Sequence, residues 1–291
     1  MSQIVTTYPI VGALLKTEKL LGHNRLWGPT NDVQRRFLSE IFVPCRSEQF
    51  SPKQLQSFVA WSADEINALL KEYGFDIRLT PFVDENSFGI ASIFTNNVEW
   101  KASGVATTVS GQDGVEYPAV RLSDEIYFYR HGQHHHPICA VTTMSGDIMY
   151  LTMFDQGLDD LDLITMAEKL TRGMLPIDEF GDVVFPMVDI NQEVDVSWLV
   201  DMETFRQDGR RAWIAQAKQE TSLRINEIRA AMRSAFTAEV ANESMMVSRP
   251  DMVINGSFLC WFWRPGLSKP LLVSHVQRED WKNPGVIEPK K

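Results

Sequence analysis

Cysteine is scarce in this chain of 291 residues, and the few cysteines lie far apart. A zinc site or a redox motif needs cysteines at close spacing, and the sequence has no such pair. We therefore predict three buried thiols in a protein of a reducing compartment, at Cys45, Cys139 and Cys260.

Long apolar runs are also missing. No stretch of about 18 apolar residues occurs, so we expect no membrane-spanning helix and no membrane partner. The apolar patch at residues 10–15 follows no basic run, precedes no small-residue cleavage site and gives way to Lys16 and Lys19. A signal peptide has the opposite features. We expect a cytoplasmic protein, with export by a non-classical route left open.

Positive charge is in deficit, with 28 Lys and Arg against 38 Asp and Glu and a net charge of −10. No segment gathers enough Lys and Arg to reverse this locally, so a nucleic-acid partner is not expected. Several enzyme signatures are absent as well: Gly-x-Ser-x-Gly, a Gly-rich phosphate loop, and a cysteine beside a local histidine. We predict a protein that is not an enzyme and uses no cofactor.

Histidine is concentrated in one short stretch, which holds four of the six histidines: His131, His134, His135 and His136. Successive side chains of an extended chain point to opposite faces, so these imidazoles diverge instead of meeting at one ion. We interpret the stretch as a solvated connecting loop and predict no metal site.

What the sequence does contain is typical of a packed protein, with 44% hydrophobic and 23% charged residues. Ser51 followed by Pro52 is a helix start, and the apolar spacing after it predicts a helix over residues 51–73, packed across a sheet. From residue 75 to residue 154 the apolar period becomes two, which predicts strands. A Gly-containing turn around Gly146 joins two of these strands into a hairpin.

The remaining elements follow the same rules. A helix is predicted over residues 158–171 because acidic residues occupy its first turn and Gly173 follows it. Strands are predicted over residues 183–190 and 213–225, with a helix over residues 196–202 between them.

The end of the chain predicts a second hairpin, from two apolar runs at residues 257–263 and 270–276. Helices followed by many antiparallel strands predict an α+β fold. The sequence has no internal repeat and no linker rich in Pro, Gly or Ser, so we expect one domain over residues 1–291. The largest sheet is expected to contain residues 88–94 and 213–225.

Residues 226–240 fit two structures. At period two, one face carries six residues, namely Ala230, Met232, Ser234, Phe236, Ala238 and Val240. At helical period, an apolar stripe from Ile228 to Val240 fits as well. Residues 241–251 have little periodicity and are expected to form an exposed loop.

A series of motifs extends in one consistent order over residues 24–284. In chain order they are Asn24-Arg-Leu-Trp27, Ala91-Ser-Ile-Phe94 with Trp100, the hairpin around Gly146, the strand at residues 184–190, Trp213-Ile-Ala-Gln-Ala, Leu223-Arg-Ile-Asn-Glu227, the two closing apolar strands, and Asn283-Pro284. Together these motifs resemble the serpin family. The resemblance implies an α+β serpin-like fold with large mixed and antiparallel sheets.

The resemblance also implies a functional site. A serpin strand ends in a hinge glutamate and leads into the reactive-centre loop, which here corresponds to about residues 228–252. The implied hinge consists of Glu227, Arg229, Ala230 and Met232, and Trp100 lies where the loop would enter the main sheet. Family spacing from Glu227 places the bait bond at about Glu243 and Ser244, and because this loop looks a few residues longer, Met245 and Met246 also come into range.

The sequence departs from the family at several points. Only residues 7–22 remain to supply the helices that normally precede the Asn24 strand, which indicates a shortened member. At the hinge, Arg229 occupies the place of a glycine and Ala230 that of a threonine, while Met232 and Arg233 interrupt the usual run of small residues.

Two functions are compatible with these features. The first is a protease inhibitor, a suicide substrate whose partner is a serine or cysteine protease. The alternative is a non-inhibitory serpin-fold protein that binds another protein partner, which Arg229, the helix-prone segment and the missing helices favour.

Overall fold

The computed structural model describes residues 1–22, 26–48, 55–102, 104–227 and 249–286. Its helices are α1 (Tyr8–Leu21), α2 (Asp32–Phe37), α3 (Val43–Cys45), α4 (Ala63–Glu72) and α5 (Asp160–Arg172). A π-helical turn, Leu38–Phe42, joins α2 to α3, and short 3-10 turns occur at Ser197–Leu199 and Arg278–Asp280.

The described residues form sixteen strands. They are β1 (Gln3–Thr6), β2 (Leu55–Ala60), β3 (Ser87–Asn97), β4 (Val105–Ser110), β5 (Glu116–Leu122), β6 (Ile126–His131), β7 (His134–Thr142), β8 (Ile148–Met153), β9 (Met174–Ile177), β10 (Val183–Pro186), β11 (Val188–Val194), β12 (Glu203–Phe205), β13 (Arg211–Ile225), β14 (Met252–Val253), β15 (Phe258–Trp263) and β16 (Leu272–Val276).

The strands are arranged in three sheets. A seven-stranded antiparallel sheet has the order β1-β16-β15-β8-β7-β6-β9, and a four-stranded sheet has the order β14-β10-β5-β4. A five-stranded sheet has the order β11-β13-β3-β2, with β12 paired to β13. The α+β architecture predicted from the sequence is confirmed.

The central pair of the five-stranded sheet is parallel. Strands β3 and β13 pair through eleven residue pairs, from Ser87 opposite Trp213 to Asn97 opposite Arg224. Their outer neighbours β2 and β11 pair with them antiparallel. We call the β3–β13 boundary the seam.

The seam lies between two hydrophobic layers. Alternate residues of β13, including Leu223 and Ile225, are buried in the main core, which also receives Phe88 and Phe94 of β3. The opposite face of β2 and β3 packs against α4 in a separate cluster that includes Ile66 of the helix. This sheet is therefore covered on both faces over part of its width.

Several local predictions are confirmed. Strand β13 covers residues 213–225, and the hairpins β7–β8 and β15–β16 lie where the turn signals place them. Helix α5 covers most of residues 158–171 and carries Asp160 and Asp162 in its first turn, where the helix dipole favours negative charge. Strand β15 is buried at all but its last residue, as its continuous apolar sequence requires.

The prediction of one helix over residues 51–73 is wrong in its first half. Residues 55–60 form strand β2, and only Ala63–Glu72 is helical, capped by the Ser62 hydroxyl, which accepts a hydrogen bond from the Asp64 amide. The spacing of Phe58 and Val59 fits a helix, but aromatic and β-branched residues also suit a strand. Pairing with β3 makes this segment a strand. Residues 51–54 lie outside the described residues.

Two further boundaries differ from the prediction. The run at residues 183–190 is two strands in different sheets, because the chain crosses over at Met187, whose amide donates to the carbonyl of Pro118. Only one 3-10 turn forms within residues 196–202. The seven-stranded sheet is larger than the sheet that contains residues 88–94 and 213–225, because β1 and β9 extend its two edges.

The motif at residues 24–27 does not form an inner strand in its described part. Leu26 is exposed and Trp27 half-buried, and the neighbouring Gly28 makes a single bridge to Glu203. Residues 24 and 25 are outside the described residues.

Candidate functional site

The end of the seam is organised around Trp100, which is fully buried. Its indole Nε1 donates a hydrogen bond of 2.7 Å to the carbonyl oxygen of Asn226, just after the end of β13. The ring also meets Phe185 of β10 edge to face, with centroids 5.8 Å apart. Trp100 therefore ties the end of the seam to the four-stranded sheet.

The backbone around Trp100 is held on both sides. The Val98 amide donates to the carbonyl of Arg224 across the seam, and Trp100 forms a bridge with Thr143 beside the β7–β8 hairpin turn. The Asn226 side chain donates to the carbonyl of Gly285, 2.9 Å away. Three distant parts of the chain thus meet at the point where β13 ends.

Glu227 is the last described residue before residue 228, and its backbone is tightly packed. A Cβ on Gly104 would lie 3.0 Å from the Glu227 carbonyl oxygen and 3.2 Å from its Cα, so a side chain at residue 104 would displace this backbone. The Glu227 carboxylate has one buried oxygen, Oε2, without a hydrogen-bond partner among the described residues. The chain leaves the seam here at a fixed position.

The chain returns at a second anchor on the four-stranded sheet. Arg249 pairs with Asp178, and the carbonyl of Pro250 accepts a hydrogen bond of 3.1 Å from the Gly181 amide. Arg121 forms ion pairs with Asp182 at 3.1 Å and with Asp251 at 2.6 Å. These contacts position β14, which pairs parallel with β10.

The two anchors are separated by 21 residues, 228 to 248 inclusive, and belong to different sheets. The sequence places Glu227 and Trp100 in one site, and the structure brings both to the end of the seam. Met252, the last residue of the predicted loop, is buried in β14. The other proposed hinge and bait residues lie outside the described residues: Arg229, Ala230, Met232, Glu243, Ser244, Met245 and Met246.

Small polar side chains line the core face of the seam. The Gln219 amide nitrogen donates to Thr6 Oγ1 at 2.8 Å and to Thr221 Oγ1 at 3.1 Å, and Ser92 Oγ donates to Gln219 Oε1 at 3.4 Å. All four residues are buried. Buried polar groups of this kind are stable only while their hydrogen bonds are satisfied, so they join β1, β3 and β13.

The opposite face of the seam carries a strap, which we define as residues 79–82. The Gln216 side chain of β13 exchanges hydrogen bonds with the backbone N–H and C=O of Thr80, at 2.9 and 2.8 Å. A Cβ on Gly89 of β3 would lie 2.3 Å from the Phe82 ring and 2.6 Å from Leu79. The strap therefore contacts both strands of the seam.

Sequence reasoning did not find Asn226, Gly104 or the strap. Asn226 directly precedes Glu227, the proposed hinge residue. That position in the sequence could have indicated that Asn226 fixes the end of β13. The contacts of Gly104 and Thr80 join residues more than a hundred positions apart, and no local pattern reports them.

The histidine stretch forms a hairpin and not a connecting loop. Strand β6 ends at His131 and β7 begins at His134, so only residues 132–133 form the turn. Burial, reinforced by the neighbouring His136, lowers the pKa of His134 to about 4, and its Nε2 lies 2.8 Å from Thr152 Oγ1. The described residues contain no group of three His, Cys, Asp or Glu side chains placed to hold one metal ion.

The three cysteines are buried and free, as predicted. Burial raises the pKa of the Cys45 thiol to about 12 and raises the pKa of Cys139 and Cys260 as well, so all three are thiols at neutral pH. No helix in the described part of the chain is long and apolar enough to cross a membrane.

No protein-family model matches the sequence, and no curated protein sequence matches it either. Solved structures do match. SRPN18 from Anopheles gambiae aligns over 99% of this chain and 93% of its own, with a TM-score of 0.58 and 12% identity. Native protease nexin-1, crystallised with heparin, aligns over 94% and 98%, with a TM-score of 0.55 and 12% identity.

A serpin from Schistosoma mansoni gives similar values, covering 94% of this chain and 95% of its own, with a TM-score of 0.54 and 11% identity. The three similarities extend over nearly the whole of every chain compared. The chain therefore has the serpin fold, and the resemblance found in the sequence is confirmed at the level of the fold.

Proposed function

We propose that this chain is a serpin-type protease inhibitor whose reactive-centre loop extends over about residues 228–252. The observation that carries the proposal is the seam: two parallel strands pair directly, and the chain leaves their common end at Glu227, beside Trp100. A segment long enough to act as a strand, 21 residues, separates this point from the next described residue.

The seam has the geometry to accept a strand. A strand that folds back from Glu227 would lie between β3 and β13 and would run antiparallel to both. One parallel ladder would then be replaced by two antiparallel ladders, which are slightly more stable per residue. The inserted strand would also bury one of its faces, so insertion would lower the free energy of the cleaved chain.

In the proposed mechanism the chain is a suicide substrate and not an enzyme. The serine hydroxyl or cysteine thiol of a protease attacks a carbonyl in the bait, among Glu243, Ser244, Met245 and Met246. The peptide bond breaks, the amine of the next residue leaves with a proton, and an ester or thioester to the protease forms. Insertion then carries the protease along and distorts it before water can hydrolyse the acyl bond.

The composition of the hinge supports insertion in part. Ala230, Ser234 and Ala238 would place small side chains on the core face of the seam, while Met232 would occupy more space there. Arg229 falls on the opposite face at period two, where solvent can hydrate its charge. A Met bait would suit a chymotrypsin-, elastase- or subtilisin-like protease, and Arg249 is a poor bait because Pro250 follows it.

The proposed partner is a protease, with no nucleic acid, membrane or cofactor involved. The net charge of −10 supports the exclusion of a nucleic-acid partner. The three buried free thiols support a reducing compartment such as the cytoplasm.

The proposal is tested by incubating the chain with serine and cysteine proteases and looking for a complex that survives denaturing electrophoresis. The wild-type chain is expected to form such a complex with at least one protease. Ala230→Arg should convert it into a substrate, because an unpaired charge would be buried on the core face. Ala231→Arg is the matched control, since its side chain falls on the opposite face and trapping should survive. Cleavage without any complex across the panel would contradict the proposal.

The strap favours a second candidate, a non-inhibitory binding protein. Gln216 and Thr80 join β13 to a segment that lies across the seam, and their hydrogen bonds oppose its opening. Arg229 and Met232 in the proposed hinge also disfavour insertion, because they replace the small residues that the family has there. A chain of this kind would bind its protein partner without inserting a strand, and cleavage would leave its stability unchanged.

A further inference from the structure

A cavity of about 440 Å³ reaches Gln219 on the core face of β13, the face of this strand that the strap does not cover. It is open to solvent on one side and is lined by residues of β1, α1, α2, the π-helical turn, the start of α5, the end of β11, the Ser197–Leu199 turn and Gln219 of β13. Its volume falls in the range of small-molecule sites, which run from about 300 to 1,000 Å³. The cavity is separate from the end of the seam, since neither Trp100 nor Glu227 lines it.

The walls of the cavity are mainly apolar. Ile10, Phe37 and Ile164 are buried side chains that line it, and Val194 and Trp198 complete the apolar surface. At its floor, Gln219 is committed to Thr6, Thr221 and Ser92, as described above. A ligand would therefore gain most of its binding free energy by burying an apolar body.

The rim of the cavity is acidic. Asp159, Asp160 and Asp195 line it, and no cationic side chain in the described part of the chain forms an ion pair with Asp159 or Asp160. Burial, with repulsion from Asp159 and Asp195, raises the pKa of Asp160. A positive charge placed between these carboxylates would relieve that repulsion.

Among the described residues, the cationic side chain that lines the cavity is already paired. Arg36 forms an ion pair of 2.6 Å with Asp162 and another of 3.0 Å with Glu40, and it donates to Thr165 Oγ1 at 3.1 Å. An anionic ligand would have to displace these contacts. Hydrogen bonds from the Ser197 side chain and from the Ser197 amide, together with the nearby Lys218, hold the pKa of Asp195 below its usual range and keep it charged.

We propose that this cavity binds an amphiphilic organic cation, with its apolar body between α1, α2 and α5 and its ammonium group at Asp159, Asp160 and Asp195. A bare metal ion fits less well, because the described residues hold no group of three ligating side chains at one point. The proposal does not depend on the inhibitory function, since it concerns the uncleaved chain and other residues.

Isothermal titration calorimetry of the full chain at pH 7.5 and low salt tests the proposal. The probe is imipramine, a tricyclic amine that is cationic at this pH, and its comparison is the same tricyclic with a carboxylate in place of the amine. Imipramine is expected to bind at least tenfold more tightly than the carboxylate analogue. Equal affinity for the two probes, or no binding of imipramine at millimolar concentration, would overturn the proposal.

Two pairs of variants locate the site. Asp160→Asn should weaken imipramine binding by about tenfold through loss of a charge-assisted contact, whereas Asp64→Asn, in the first turn of α4, should leave it unchanged. Val33→Trp should block the mouth, because Val33 is exposed on α2 and lines the cavity. Val43→Trp, at an exposed residue outside the lining, is its control. Unchanged binding by Val33→Trp would place the ligand elsewhere and overturn the proposal, even if Asp160→Asn fails to fold.

Discussion

Trp100 is the residue on which the end of the seam depends most. Its indole nitrogen is buried and has one acceptor, the Asn226 carbonyl, 126 positions away in the sequence. A buried acceptor left without a donor costs about 1–3 kcal/mol. Glu227, the proposed hinge residue, follows Asn226 directly, so this hydrogen bond fixes the backbone just before it.

The first prediction is that Trp100→Phe lowers the free energy of unfolding by about 1–3 kcal/mol or more, since it removes the donor and part of a packed ring. Chemical denaturation followed by far-ultraviolet circular dichroism measures the change. Trp263→Phe is the matched control, because that half-buried indole also donates to a backbone carbonyl, at Leu267, but lies outside the site. Equal losses in the two variants would mean that Trp100 has no special role.

His134 gives a prediction about pH. Its pKa of about 4 in the folded chain lies below the value of about 6.5 for an unfolded histidine. The unfolded state therefore binds the proton more readily, and stability should fall as the pH drops from about 6.5 towards about 4.

Melting temperatures between pH 4 and pH 8 test this. His134→Gln should make the fall over this range shallower, because the buried ring that resists protonation is gone. His135→Gln changes an exposed neighbour that makes only a smaller contribution to the low pKa of His134, so it should alter the curve less than His134→Gln does. A curve for His134→Gln as steep as that of the wild type would contradict the assignment.

At the scale of elements, the strap connects the two strands of the seam. Gln216 and Thr80 hold the strap to β13, and Leu79 and Phe82 close on Gly89 of β3. Opening the seam would require these contacts to break. The strap therefore contacts the seam on one face. The hydrogen-bonded side chains of Thr6, Ser92 and Gln219 contact it on the other face.

We predict that Gln216→Ala speeds hydrogen exchange of the amides along β3 and β13 by about fivefold, which corresponds to a lost contribution of about 1 kcal/mol. Lys218→Ala is the control on the same strand and face, where it removes an exposed ion pair to Glu193 and a positive charge near Asp195. Unchanged exchange in Gln216→Ala would show that the strap does not hold the seam closed.

The elements also show which parts of the fold a sequence can predict. The hairpins β7–β8 and β15–β16 and helix α5 follow from local alternation, turn residues and charge placement, and they are found where those signals put them. Strand β2 was missed because its partner β3 is distant in sequence, and its apolar spacing suits either structure.

The same limit applies to the candidate site. Glu227 and Trp100 were identified through their order in a family resemblance, not through any local pattern. The Gln219–Thr6 hydrogen bond joins residues 213 positions apart, and the cavity at Asp160 is built from elements far apart in the chain, from β1 to β13. Contacts of this kind arise only when the sheets pack together.

At the scale of the whole molecule, the chain connects two sheets through the segment between Glu227 and Arg249. One anchor lies at the end of a parallel pair in the five-stranded sheet, and the other lies at the edge of the four-stranded sheet. Cleavage of this segment would release the part that follows Glu227 from its second anchor. The central claim is that the released strand then enters the seam.

The melting temperature before and after a single cut within residues 228–248 tests this claim most directly. The cut is made by limited digestion with subtilisin and mapped by mass spectrometry. We predict a rise of about 20 °C or more, because insertion adds two antiparallel ladders and buries an apolar face, and we expect no rise for cleaved Ala230→Arg. A wild-type chain that melts at the same temperature before and after the cut would contradict insertion and favour the binding protein.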